Sequence, residues 1–305
     1  MAALTVALAA MCGACTAPAP GAPATGPDAS ATGSAAPPQV AVEVRQGRAS
    51  WADRVVQVRV RNDGAAAVTV RTATLTTSTT SGAAVSDPDR GRAVPPGRSR
   101  DFSVPLGPPV CDAATVEATA VLDVEPAAGD AVTEGTTVRA TDPQGHLARI
   151  LAEDCAAEAV LSGVSFRVEG VTTQDTPEGL LGVLTLTVTP LPGGPAVAVT
   201  RIDGTILMAP VGTEGTVGTG GTSGTSGTDA WAPPELAVAP TAPVTVTLPF
   251  RPNRCDPHAV AEDKRGTFLG VHATVDGVPQ HVVHVGAGEG AAGQVHDYVA
   301  AACGW

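Results

Sequence analysis

The chain has 305 residues, room for two domains at about 100–200 residues each. Aromatic residues make up 3% and charged residues 16%, against about 25% in ordinary globular chains. Gly shows no period of three, A/E/K/L/R heptads are absent and no apolar run reaches about 18 residues. That excludes a collagen, a coiled coil and a polytopic membrane protein. A net charge of −12 argues against nucleic acid and anionic headgroups as partners.

Residues 1–15 read MAALTVALAAMCGAC. The apolar run at 2–11 is too short to span a bilayer and has the length of a signal-peptide core. It ends in Gly13 and Ala14 followed by Cys15. Small residues before a cysteine resemble the lipobox of bacterial lipoproteins. That resemblance implies cleavage after residue 14, a diacylated Cys15 and attachment to the outer face of the plasma membrane. Simple secretion is the alternative. The run departs from the family in lacking a basic start and in placing Cys12 at the −3 position. Cys12 and Cys15 also form a C-x-x-C, but the βαβ context of a redox site is missing. Residues 15–37 are rich in Pro, Ala, Gly, Ser and Thr and resemble the flexible tether that follows such an anchor.

Four cysteines then remain, Cys111, Cys155, Cys255 and Cys303, an even number suited to disulfides in an exported chain. Their surroundings repeat. FSVPLGPPVCD at 102–112 aligns without gaps on VTLPFRPNRCD at 246–256, and GHLARILAEDC at 145–155 aligns on GQVHDYVAAAC at 293–303. Two matches in the same order imply a duplicated unit. Each copy then closes its own bridge, Cys111–Cys155 and Cys255–Cys303.

Within each copy apolar and polar residues alternate. Val56, Val58 and Val60 do so, as do Leu184, Leu186 and Val188, and Val244, Val246 and Leu248. Such strands bury one face and wet the other. Turn signals separate them at Asn62 to Gly64, Pro192 to Gly194, Asp203 and Gly204, and Asp276 and Gly277. Helical spacing is confined to 147–154, to 295–302 and to a turn or two after Asp256 and Pro257, the last through Asp263. The expected fold is therefore all-β: two tandem immunoglobulin-like β-sandwiches, each with a short C-terminal helix and one disulfide. The first covers 38–157 and the second 158–305, with a flexible Gly/Thr/Ser insert at 211–230. The strongly biased composition (one Lys against 17 Arg) and this layout resemble uncharacterised secreted and lipoprotein β-proteins of high-GC Gram-positive bacteria. That resemblance implies no particular activity.

Motifs for serine hydrolases, zinc proteases and nucleotide binding are missing, and the disulfides leave no thiol for catalysis. A non-catalytic protein without a cofactor is expected, presenting its modules to an envelope protein or glycan. Histidines supply the one asymmetry. His258, His272, His281, His284 and His296 all lie in the second unit, whose net charge is −8 against −3 for the first. A small-ligand or metal site built from these imidazoles is the alternative. The spacing of His281 and His284 disfavours it, since residues three apart on a strand face opposite ways. Arg90, Arg92, Arg98 and Arg100 share a stretch with Asp87, Asp89 and Asp101, which reads as a self-neutralised loop.

Overall fold

Where apolar residues alternate, strands form. The computed structural model describes residues 39–126, 133–212, 229–262 and 265–305. The signal peptide (1–14), Cys15, the tether (15–37), residues 213–228 of the insert and Asp263 lie outside the described residues. The first half comprises β1 (Val40–Arg45), β2 (Val55–Asn62), β3 (Val68–Thr77), β4 (Ala83–Val85), β5 (Arg92–Val94), β6 (Ser99–Pro105), β7 (Ala118–Pro126) and β8 (Thr133–Thr141), followed by helix α1 (His146–Gly163). In the second half β9 (Val164–Thr176), β10 (Gly179–Pro190), β11 (Val197–Asp203), β12 (Met208–Pro210), β13 (Ala230–Trp231) and β14 (Val244–Pro252) precede α2 (Pro257–Glu262). Then come β15 (Phe268–Val275), β16 (Val278–Pro279), β17 (Val283–Gly286) and α3 (Gly288–Cys303). Among the described residues no helix is long and apolar enough to cross a membrane.

The first sandwich packs β1, β2 and β6 against β3, β4, β5, β7 and β8. Strand β8 joins the two layers: it pairs antiparallel with β7, and its last residues Ala140 and Thr141 pair parallel with Val42 and Glu43 of β1. The resulting order β4-β3-β7-β8-β1-β2-β6 is an immunoglobulin-like arrangement. Val56, Val58 and Val60 are fully buried, while Gln57, Arg59 and Arg61 face outward. Across the outer face Glu43, Arg59 and Asp101 sit side by side on three strands. Arg59 donates two bonds to Asp101, at 2.7 and 2.8 Å. The turn signal at Asn62 has a physical basis. Its buried amide donates to Ala66 O at 2.8 Å and Val94 O at 2.9 Å and accepts from Gly64 N at 2.9 Å, which swings the chain from one layer to the other.

The pairing scheme recurs in the second half. β9 pairs β10, β10 pairs β14, β11 pairs β15 and β15 pairs β17, as β1 pairs β2, β2 pairs β6, β3 pairs β7 and β7 pairs β8. Register recurs too. Val56 opposes Val104 and Val58 opposes Phe102, while Leu184 opposes Leu248 and Leu186 opposes Val246. The sequence alignment matches the partners on β6 and β14, Phe102 with Val246 and Val104 with Leu248. Bulges fall at the same place, between Val70 and Thr72 in β3 and between Val199 and Arg201 in β11. Bulges are retained features rather than defects, so their recurrence is specific. Asp276 and Gly277 both have positive φ, 48° and 81°, as a two-residue type I′ hairpin between β15 and β16 requires.

Both expected disulfides are formed, Cys111–Cys155 and Cys255–Cys303. The helices are longer than their apolar spacing predicts, 18 residues in α1 and 16 in α3. Helix α1 continues past Cys155, because Ala156 and Val160 bury into the second core while Leu147 and Ile150 bury into the first. The expected boundary at 157/158 therefore falls inside a continuous helix shared by two cores, with no linker between them. Helix α3 caps the second core with Val295, Tyr298 and Val299.

Candidate functional site

The five histidines of the second half are dispersed. His258 is on α2, His272 on β15, His284 on β17 and His296 on α3, while His281 precedes β17 rather than sharing its strand. His272 Nε2 meets Asp203 Oδ2 at 2.7 Å. His284 Nε2 meets Arg265 Nη1 at 3.1 Å, a contact in which the imidazole accepts from the guanidinium. Among the described residues no three His, Cys, Asp or Glu side chains converge as metal ligands. The ligand set that the metal alternative requires is thus not assembled by these residues. Of the arginine stretch of the first half, Arg90 pairs with Asp87 at 3.3 Å, while Asp101 pairs with Arg59 of β2 rather than within the stretch, so the loop is only partly self-neutralised. The Arg59 guanidinium holds the Asp101 carboxyl below the usual carboxylate range.

A polar cluster joins the two halves. Trp51, from the connection between β1 and β2, is in contact with two guanidinium groups, Arg149 at 5.1 Å and Arg265 at 4.4 Å from the ring centroid. Glu153 offsets their charge, at 2.8 Å from Arg149 and 3.9 Å from Arg265. Arg149 also bonds Gln46. Each cation–π contact contributes about 0.5–1 kcal/mol where partly exposed. Partial removal from water, then the Arg265 charge, holds the His284 imidazole below its ordinary pKa. The charges of the cluster offset one another and tie α1 to the second sandwich, while the buried Trp51 indole N–H has no hydrogen-bond partner among the described residues.

Two grooves occupy matching places, one on each sandwich. In the second half the floor is the outer edge of β14, Thr245 to Pro249. The wall is Trp231, Pro233, Pro234 and Glu235, from β13 and the 3-10 turn after it (Pro234–Leu236). Its volume is about 340 Å³. In the first half the floor is Asp101 to Ser103 of β6, and the wall is Ser86, Asp87, Arg90 and Arg92 around the 3-10 turn Pro88–Arg90 after β4. That groove measures about 210 Å³. Trp231 pairs with Ile202 as Ser86 bonds Ala73, each beside the bulge of its sheet. The same frame thus carries different linings, with several charged side chains in the first half and, Glu235 apart, uncharged residues among those described in the second. The Trp231 indole donates to Pro249 O at 2.7 Å, fixing wall to floor.

Neither groove is legible in the repeat alignment, because the walls come from segments that do not align. The one available signal was Trp231 at the end of the insert. Its ring is buried, as are Phe102, Phe250 and Tyr298. Among the described aromatic residues Trp305 alone is exposed by more than a third.

No protein-family model matches this chain, and no curated protein matches it. Solved structures give distant likenesses. One is the CsuC–CsuE chaperone–tip adhesion subunit pre-assembly complex of Acinetobacter baumannii, at 8% identity over 76% of this chain and 90% of that one, TM-score 0.19. A second is the B domain of a biofilm associated protein, at 7% identity over 81% and 85%, TM-score 0.21. Red sea bream transglutaminase is a third, at 13% identity over 81% of this chain and 31% of that one, TM-score 0.21. At such scores these likenesses carry no functional argument, and the fold assignment rests on the strand pairing itself.

Proposed function

We propose that this chain is a non-catalytic, lipid-anchored extracytoplasmic protein whose tandem β-sandwiches bind a partner in the cell envelope. The two disulfides carry the reading. Such bonds persist in oxidising compartments and are rare in the cytosol, which supports export. The lipobox-like residues ending at Cys15 supply the means of retention, and a diacyl group provides the two chains that stable anchoring takes. The inward-turned aromatic side chains and the strand-edged groove of the second half favour a protein partner over a glycan, since sugar platforms need exposed rings.

The test is palmitate labelling and membrane fractionation of the full chain expressed with its leader in a bacterial host. The expected result is labelled, membrane-bound protein, with Cys15→Ala unlabelled and released. A Cys15→Ala chain that stays in the membrane overturns the anchoring.

A further inference from the structure

The geometry points to a peptide-binding site on the second sandwich: an extended, basic segment of a partner protein adds as a strand to the open edge of β14. On its inner side β14 pairs with β10 from Val244 to Phe250, but on its outer side β12 covers only Phe250 to Pro252. Val211 N donates to Pro249 O at 2.9 Å, so the Pro249 carbonyl faces the outer side. Alternate residues of a strand direct their peptide groups to the same edge. The N–H and C=O of both Thr247 and Thr245 therefore face the groove, and no described strand pairs with them there. From Thr245 to Pro249 the edge runs about 13 Å, the length of a short strand. The opposite wall offers Pro233 and Pro234, which have no N–H to compete for the incoming backbone.

The first sandwich supplies the contrast. Open edges are normally guarded by charge, and β6 has Arg100 and Asp101 where β14 has Val244 and Thr245. Its groove is further lined by Asp87, Arg90 and Arg92. Where the first wall carries Arg90, the second carries Glu235, the one charged residue among the described residues lining that groove. Together with the net charge of −8 on this half, Glu235 selects a basic strand. Strand addition gives affinity through main-chain bonds and specificity through alternate side chains.

This inference rests on the reading of the chain as an interaction protein but not on its anchor, so a failed Cys15→Ala result leaves the following measurement untouched. The probe is a labelled peptide, TVTVRVT, titrated by fluorescence polarisation against the full chain with its disulfides formed. Saturable binding below about 1 mM is expected. N-methylation of one alternate set of peptide amides abolishes it, while methylation of the other set leaves it intact. Thr247→Pro weakens it about tenfold, through loss of one edge donor and its geometry. Glu235→Lys weakens TVTVRVT and strengthens TVTVEVT. Absence of saturable binding, equal sensitivity to the two methylation sets, or indifference to Thr247→Pro overturns the proposal. So does self-association of the chain through this edge, abolished by Thr247→Pro, which would make a second copy the occupant.

Discussion

Replacing Leu147 with Ala tests whether α1 couples the two sandwiches. Leu147 is 1% exposed and belongs to the first core. Truncating a buried Leu costs 2–5 kcal/mol, about 3 at a site that relaxes partially. Sixteen residues further on, Gly163 ends the same helix after Ala156 and Val160 have entered the second core. The Trp51 cluster adds a second tie between the halves. Opening the first core therefore releases α1 from both. Native-state hydrogen exchange read by mass spectrometry follows each half separately, through peptides from β2 and from β10. A loss of about 3 kcal/mol accelerates globally limited exchange roughly 150-fold, and the acceleration is expected in β10 as well as β2. The reciprocal change, Val160→Ala, is expected to accelerate β2. If Leu147→Ala leaves β10 unchanged, the halves open independently and the coupling argument fails.

Replacing Cys255 and Cys303 together by Ser releases a loop of 48 residues. The chain-entropy model puts the cost at about 4 kcal/mol, measurable as a lowered urea midpoint; an unchanged midpoint refutes it. Tyr298→Phe removes a hydroxyl 3.1 Å from both Leu180 O and Phe250 O, and is expected to cost about 1 kcal/mol by thermal unfolding. Gly182→Ala places a Cβ 2.8 Å from the Phe250 ring and 2.9 Å from the Tyr298 ring, so overpacking of about 1–3 kcal/mol is expected. His284 is held below its ordinary pKa, among Arg265, Arg149, Glu153 and His281. The unfolded chain therefore binds this proton first as pH falls. Stability is full above about pH 6.5 and declines below it until the folded pKa is passed. In His284→Gln that part of the decline is expected to disappear in urea titrations at pH 5–7; an unchanged pH dependence refutes the assignment.

Much of the fold was legible because alternation is a local signal. Val56, Val58 and Val60 announced a strand with one buried face, and the aligned Cys-Asp sites announced which cysteines meet. Register was not read from the sequence; the structure shows that the matched Val104 and Leu248 occupy equivalent places opposite Val56 and Leu184. Other features depend on residues far apart in sequence. Nothing local shows that Ala156 and Val160 enter a second core, so the helix was expected to stop before Cys155. Arg149 and Arg265 carry no mark of their shared contact with Trp51, which exists only once α1 and β15 are docked. The grooves were hidden for a related reason. Their floors lie in the aligned repeat, but one wall is SDPDR at 86–90 and the other WAPPE at 231–235, and only the shared bulge reveals that these occupy one place.

The bridge to Cys155 also determines how the molecule would carry tension. Cys155 lies near the centre of α1, and its partner Cys111 lies beyond β6 of the first sandwich. A pull applied through the second sandwich reaches α1 at Gly163 and can unwind it only as far as the crosslink. Beyond that point the force passes through sulfur into Cys111, and the first two and a half turns or so of the helix, with Leu147 and Ile150, stand in mechanical shadow. A peeling failure that would otherwise run turn by turn into the first core is thereby stopped by a covalent bond.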